Sequence, residues 1–126
     1  SFSAGGDLSE FGEAQDAGLA HVSRTSRSAG ALLASLTCHT TSQLHGACIG
    51  AGIELPAFTK HISAHADAIF QLPEVAMGLI PGAGGTVSIP RRIGRQRTAL
   101  MAISDRRIDA TTALKWGLID EMVSTD

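Results

Sequence analysis

Two glycine-rich turns that each lie close to a glutamate are the feature of this sequence that most constrains its fold. Residues 50–52 (Gly-Ala-Gly) come just before Glu54, and residues 82–86 (Gly-Ala-Gly-Gly-Thr) follow soon after Glu74. Glycine lets a ligand approach the backbone closely, and the N–H groups in the first turn of a helix have no partner within the helix. Such N–H groups stabilise negative charge on an oxygen, while two carboxylates hold a water molecule and move protons. The pattern therefore predicts a site for carbonyl chemistry.

Length, charge and cysteine content limit the classes of protein to be considered. The 126 residues fit one domain, residues 1–126, and the 44% of hydrophobic residues are enough for a buried core. The net charge of −2 gives no electrostatic reason to expect a nucleic acid partner. No apolar stretch approaches the ~20 residues that a membrane span needs, and no basic segment precedes an apolar one at the start. Two cysteines do not make a disulfide framework. We therefore expect a cytoplasmic protein without a membrane partner.

The order of predicted elements indicates an α/β fold, because strands alternate with short helices. Asp109 is a suitable N-cap for a helix, and Gly117 a suitable C-terminal end. Pro90 should bend the helix that contains it, and Gly94 should end that helix. The segment 36–45 is so polar that we expect a strand with little buried surface. The predicted helices cover 13–35, 52–58, 84–93, 95–103 and 110–116, and the predicted strands cover 36–49, 62–66, 68–72 and 118–123.

The spacing of the two glutamates allows both to reach one site. They are 74 − 54 = 20 residues apart, with a predicted pair of strands between them, so both can return to one edge of a layer. Alternatively, each is a surface carboxylate at a helix N-terminus, where the helix dipole favours negative charge. In the turn at residues 2–8, the N–H of Gly6 could bind a carbonyl oxygen together with the N–H of Ala51. A plain tight turn is the alternative there.

Three further motifs have simpler explanations. The turn at residues 82–86 lacks the Gly-Lys-Ser/Thr ending of a phosphate-binding P-loop, so we expect a backbone turn packed near Glu74. His61 and His65 have metal-ligand spacing only on a helix, and we predict a strand here, so no metal is expected. Four arginines within residues 91–97 are typical of a solvated helix face, and a contact with a substrate phosphate or another subunit is the alternative.

Together these motifs resemble the crotonase (enoyl-CoA hydratase/isomerase) family over residues 2–123. The strongest similarity lies in residues 3–8, 46–55, 73–86 and 113–119. The resemblance implies a spiral of β-β-α turns in which two sheets meet at an angle. The sequence starts inside a motif and ends just after a predicted strand, so we expect the central core of this fold, truncated at both ends.

The resemblance also implies how a substrate would be bound. Family members take acyl-coenzyme A thioesters and hold the thioester oxygen with two backbone N–H groups, an arrangement called an oxyanion hole. By motif, these two donors correspond to Gly6 and Ala51, with Asp7 and Leu8 beside them in the substrate site. The resemblance implies no metal or redox cofactor, because coenzyme A is carried by the substrate. Family members assemble as trimers or dimers of trimers, so we expect a homo-oligomer.

The hydratase branch of the family adds a pair of glutamates, which correspond to Glu54 and Glu74. The implied reaction is the syn addition of water to a trans-2-enoyl thioester. Glu54 would hold and activate the water, and Glu74 would exchange the proton at the carbon next to the carbonyl. Because two coupled carboxyl groups titrate as a pair, they can share this work.

Three departures from the family pattern leave other functions open. Ala51 replaces the usual glycine, Lys60 replaces the usual aspartate, and residues 37–43 replace a proline followed by an apolar strand. One alternative is an enoyl-CoA isomerase of the same fold with one glutamate as base. Another is a non-catalytic subunit or scaffold. Gly82 stands where the dienoyl-isomerase branch has an acidic residue, which disfavours that subtype.

Overall fold

The computed structural model describes residues 1–10, 16–36 and 39–124 and contains helices and strands in alternation. Its α-helices are α1 (Ala17–Ser26), α2 (Ala29–Ser35), α3 (Ala51–Glu54), α4 (Gly85–Ser104) and α5 (Ala110–Trp116). Its strands are β1 (Thr41–Leu44), β2 (Ala47–Ile49), β3 (His61–His65), β4 (Ile69–Gln71), β5 (Ile108–Asp109) and β6 (Glu121–Val123). Short 3-10 helices cover Leu8–Glu10, Pro56–Phe58 and Val75–Met77.

The strands form two three-stranded sheets that the chain visits in turn. One sheet has the order β1-β3-β6 and is parallel throughout. The other has the order β2-β4-β5, in which β2 and β4 are parallel and β5 is antiparallel to β4. The order β1-β2-α3 and then β3-β4-α4 makes two successive β-β-α turns, each with one strand in each sheet. The predicted mixed α/β architecture is confirmed.

The prediction of one strand over residues 36–49 is wrong. Within the described part of this segment, β1 and β2 are separate strands that belong to different sheets. Gly46 lies between them with φ +57, a left-handed conformation that glycine adopts without strain. This sharp change of direction sends the chain from one sheet to the other.

Polar residues of β1 fit their position, because this strand pairs with only one neighbour among the described residues. Thr41 and Gln43 are exposed and Leu44 is buried. The Ser42 hydroxyl lies 3.1 Å from that of Thr59, so this half-buried polar group has a partner. The expectation of a strand with little buried surface therefore agrees with the burial of β1.

Helix boundaries follow local signals, with two corrections. The predicted helix 13–35 is two helices within its described part, residues 16–35, because the Ser28 hydroxyl accepts the N–H of Ala31 and starts α2. Residues 13–15 of that prediction lie outside the described residues. The predicted helix 52–58 is the four-residue α3 followed by a 3-10 helix that begins at Pro56.

The second half of the chain agrees better with its sequence signals. The backbone of α4 breaks at Gly94 (φ 81, ψ 161), as predicted, whereas Pro90 lies within the helix without such a break. Asp109 accepts the N–H of Thr112 at 2.7 Å and caps α5, and Gly117 ends that helix with φ +84. The two-residue strand β5 was not predicted, since it is too short to produce a pattern.

The core lies between the two sheets and the helices, and its largest members are aliphatic or aromatic. Burying each such side chain stabilises the fold by about 1.5–3 kcal/mol relative to exposure. The fully buried side chains include Phe70, Leu44, Ile53, Ile62, Leu72, Ile89, Met101, Leu118 and Ile119. Glu54 is buried among them, with 1% of its surface exposed. A carboxyl group in such a place requires an explanation.

Candidate functional site

Glu54 is positioned by the sharp turn that joins β2 to α3. Gly50 occupies this turn with φ +52, and its N–H donates to the carbonyl of Gln71 at 2.9 Å. The carbonyl of Gly50 accepts the N–H groups of Ile53 and Glu54, both at 2.9 Å, which closes the single helical turn of α3. As a result, Glu54 lies at the end of a four-residue helix, with its side chain directed into the interior.

The carboxyl group of Glu54 is held by the glycine-rich turn at residues 82–85. Its Oε2 atom accepts the N–H of Ala83 at 2.9 Å and the N–H of Gly85 at 2.7 Å. A Cβ atom at Gly85 would lie 2.6 Å from Cγ of Glu54 and 2.8 Å from Oε2, so any larger residue here would have to displace the Glu54 side chain. We expected this turn to pack near Glu74, but the hydrogen bonds of its N–H groups go to Glu54.

Glu74 is the second carboxylate of the site, and it lies at the start of the 3-10 helix Val75–Met77. The side chain is buried, and its Oε2 atom has no hydrogen-bond partner among the described residues. Its Oε1 atom lies against Gly50, where an added Cβ would be only 2.5 Å away. A buried polar atom without a partner is costly, and this one is available to a ligand or a proton.

The surroundings of Glu54 shift its ionisation. Burial raises the pKa of Glu54 from its ordinary value of 4.5 to about 7. The N–H of Gly85 acts in the opposite direction, and the neighbouring charge of Glu74 raises the pKa further. A carboxyl group with a pKa near neutral pH can both accept and release a proton in the cell. The structure thus brings the two predicted carboxylates together in a buried site.

The loop that contains Gly6 lies against the start of α3. Ser3 pairs with Cys48 as a parallel bridge and its carbonyl accepts the N–H of Ile49 at 3.0 Å. A Cβ at Gly52 would lie 2.6 Å from the Ser3 carbonyl oxygen, so the two segments touch. Within the described residues, the N–H groups of Gly6 and Ala51 donate no hydrogen bond. Both donors are therefore available to an acceptor.

Asp7 and Leu8, the other residues predicted for the substrate site, lie at the exposed end of this loop. The Asp7 carboxylate accepts the N–H of Ser9 at 2.9 Å and its hydroxyl at 2.7 Å, and these bonds lower the pKa of Asp7. Leu8 has 65% of its surface exposed. Among the described contacts, no hydrogen bond joins Asp7 or Leu8 to Glu54 or Glu74.

A cavity of about 470 Å³ is lined in part by Ala51. Its walls include Gly5 and Ala51 and the apolar residues Leu33, Leu55 and Pro56. Its volume and mostly apolar lining suit a small molecule. Neither glutamate belongs to this wall. The cavity is therefore bordered by Ala51 and by Gly5, the neighbour of Gly6, rather than by the two glutamates.

The described residues contain no cluster of three or more His, Cys, Asp or Glu side chains that could hold a metal ion. His61 and His65 lie on β3, as the sequence predicts, and His61 contacts Glu121 at 3.3 Å rather than His65. In the described segments, no helix combines the length and the apolar character required to cross a membrane.

Comparison with known proteins identifies the family. The sequence profile described as enoyl-CoA hydratase/isomerase matches residues 1–126. The chain belongs to the enoyl-CoA hydratase/isomerase family. The crotonase-like fold class predicted from the sequence is thereby confirmed, and the two β-β-α turns are part of that fold.

Several solved structures superpose on nearly the whole chain. An enoyl-CoA hydratase from Thermoplasma volcanium is 30% identical, with a TM-score of 0.81 over 97% of this chain and 49% of that one. DspI from Pseudomonas aeruginosa is 32% identical, with a TM-score of 0.80 over 98% of this chain and 47% of that one. A third match, enoyl-CoA hydratase subunit I from Geobacillus kaustophilus, is 29% identical, with a TM-score of 0.78 over 98% and 47%. The chain thus spans about half the length of these structures.

Sequence reasoning missed the groups that hold Glu54 in place. These are the N–H groups of Ala83 and Gly85 and the Ser88 hydroxyl, which donates to the Glu54 carbonyl at 2.7 Å. The run of glycines at 82–85 was a usable signal for a close backbone approach. Nothing in the sequence indicated which glutamate it would approach. The serine gave no signal at all, because single serines are common on helix surfaces.

Proposed function

We propose that this chain carries the carboxylate pair and the oxyanion donors of an enoyl-CoA hydratase, a lyase that adds water to a trans-2-enoyl thioester. The observation that carries the proposal is the buried pair of Glu54 and Glu74, in which Glu54 has a pKa of about 7 and Glu74 has an unpaired Oε2 atom. Water addition requires one group that removes a proton from water and one that delivers a proton to carbon. Two neighbouring carboxyl groups meet this requirement.

In the proposed mechanism, Glu54 activates the water and Glu74 exchanges the proton at the carbon next to the carbonyl, although the pair can share both tasks. The N–H groups of Gly6 and Ala51, which donate no hydrogen bond within the described part of the chain, would stabilise the charge that develops on the thioester oxygen. The exposed Asp7 and Leu8 would line the approach of the substrate. The addition of water to the double bond involves no net oxidation or reduction of the substrate, so the proposed reaction needs no redox cofactor. Coenzyme A enters as part of the thioester substrate.

The proposal extends to assembly and location. Large apolar side chains are exposed, among them Ile80 and Ile103, each with 74% of its surface accessible, and Leu19 with 71%. Such surfaces are typical of contacts with further protein. We therefore propose a homo-oligomer, in line with the trimeric assemblies that the resemblance implies. The free, buried thiol of Cys48 fits a reducing compartment such as the cytoplasm.

The test is to replace each glutamate by glutamine, which keeps the shape and removes the base. We expect Glu54→Gln and Glu74→Gln each to lower the hydration rate of an enoyl-CoA by roughly 10²–10⁴, the range for one positioned acid–base group. Substrate affinity should change little, since the oxyanion donors are backbone groups. Glu121→Gln, which removes an exposed carboxylate, is the control and should keep the parent rate.

The same assay separates hydratase from isomerase and from scaffold. An isomerase with a single base would lose its double-bond shift in only one of the two variants. A non-catalytic subunit would show no turnover in the parent protein. Equal hydration rates in the parent and in both glutamine variants would refute the carboxylate mechanism.

A further inference from the structure

One face of α4 makes three separate contacts with Glu54 and the segment that follows it. Gly85, Ser88 and Arg92 are spaced three and four residues apart, so they lie on the same side of the helix. The N–H of Gly85 binds the Glu54 carboxyl group at 2.7 Å, and the Ser88 hydroxyl binds the Glu54 backbone carbonyl at 2.7 Å. Arg92 reaches the carbonyl groups of Ala57 and Thr59.

Arg92 is not on a solvated helix face, although its neighbours in the arginine cluster are exposed. Only 12% of its side chain is accessible. Its Nε atom donates to the Ala57 carbonyl at 3.1 Å and its Nη2 atom to the Thr59 carbonyl at 2.7 Å. Its Nη1 atom donates to Asp120 Oδ2 at 3.0 Å and to the Leu118 carbonyl at 3.5 Å. The planar guanidinium thus ties three segments of the chain together.

These contacts matter because α3 cannot orient Glu54 by itself. A helix of four residues is far below the length at which helices are stable alone. The carbonyl groups of Leu55 and Pro56 accept N–H groups from the next turn, whereas those of Glu54 and Ala57 accept none among the described residues and need donors from elsewhere. Ser88 and Arg92 supply those donors to Glu54, Ala57 and Thr59.

We propose that Ser88 and Arg92 are positioning residues that fix the backbone of Glu54 against α4. In this way they keep the Glu54 carboxyl group within hydrogen-bond distance of the N–H of Gly85. Neither residue bonds to a carboxyl oxygen of the glutamate pair, so their effect passes through the backbone. The kinetic part of this inference rests on the proposed function, whereas its structural part does not.

The experiment compares two variants with two matched controls. Ser88→Ala removes the buried hydroxyl with little change of shape, and Arg92→Lys keeps the charge but cannot bind so many acceptors. Ser104→Ala and Arg91→Lys make the same changes in α4, at a hydroxyl bonded within its own helix and at an exposed arginine. The measurements are the hydrogen-exchange rate of the Gly85 amide by NMR and the kcat and KM for enoyl-CoA hydration.

We expect Ser88→Ala and Arg92→Lys to speed exchange at Gly85 by roughly tenfold, the effect of losing about one buried hydrogen bond. Their kcat should fall by a similar factor with KM within about twofold, since the binding groups are unchanged. The controls should match the parent protein in both measurements. Ser88→Ala is the decisive variant if Arg92→Lys fails to fold.

The outcomes separate this inference from the proposed function. Faster exchange at Gly85 in Ser88→Ala, together with no hydration activity in the parent protein, supports the positioning role and refutes the hydratase. Unchanged exchange at Gly85 in folded Ser88→Ala overturns the positioning role, whatever the activity. An increase of the same size at core amides such as that of Ile93 also overturns it, because the effect would then be general destabilisation.

Discussion

The stability of this protein should fall as the pH rises through the range in which Glu54 ionises. The carboxyl group is buried, and its pKa is about 7 in the folded protein instead of the ordinary 4.5. Between these values the unfolded chain has released the proton while the folded protein still holds it. The folded state therefore binds more protons than the unfolded state, and the free energy of unfolding decreases with rising pH. Above about pH 7 both states are ionised and the dependence ends.

The size of the effect follows from the same pKa values. A change from 4.5 to about 7 on folding corresponds to roughly 3–4 kcal/mol of lost stability once Glu54 is ionised in both states. Glu54→Gln cannot ionise, and its amide oxygen can still accept the N–H of Gly85. The stability advantage of this variant over the parent protein should therefore grow by about 2–3 kcal/mol between pH 5 and pH 8.

Urea unfolding at several pH values measures this difference directly. Trp116, the single tryptophan of the chain, reports unfolding through its fluorescence because Arg97 lies 5.6 Å above its ring in the folded protein. Asp16→Asn serves as control, since it removes an exposed carboxyl group and asparagine also caps a helix. Parallel stability curves for the parent and Glu54→Gln between about pH 5 and pH 8 would refute the reasoning.

Two glycines provide further tests. Gly85→Ala should displace the Glu54 side chain, lower stability by about 1–2 kcal/mol through the lost charge-assisted hydrogen bond and abolish most activity. Gly82→Ala in the same turn is the control, because an added Cβ would lie 3.7 Å from its nearest contact, and it should leave both stability and activity unchanged. Equal urea midpoints and rates for these two variants would contradict the role of the turn. Gly117→Ala should cost about 1–2 kcal/mol because the residue has φ +84, and Gly117→Asn should cost less, since asparagine tolerates this conformation better. The same urea midpoint for both variants would show that backbone strain at this helix end is negligible.

Local chemistry explains why much of the second half of the chain was predictable. The cap at Asp109, the helix end at Gly117 and the break at Gly94 each depend on the residue and on neighbours within a few positions. The glycine turns next to Glu54 and Glu74 could also be recognised in the sequence. A position with φ +52, or one where two segments approach closely, requires glycine because any other residue would be strained there. These features, with the family motifs, determined the fold class and the two candidate carboxylates.

Tertiary structure alone decided which distant groups meet. Residues 36–49 carry no signal that their two strands belong to different sheets, because sheet membership depends on pairing with β3 and β4 further along the chain. The N–H of Gly85 binds a glutamate 31 residues earlier, and Arg92 binds Ala57, which precedes it by 35 residues. A short window of sequence contains a donor or its acceptor but not both. The raised pKa of Glu54 has the same origin, since its largest cause is burial, which exists only in the folded chain.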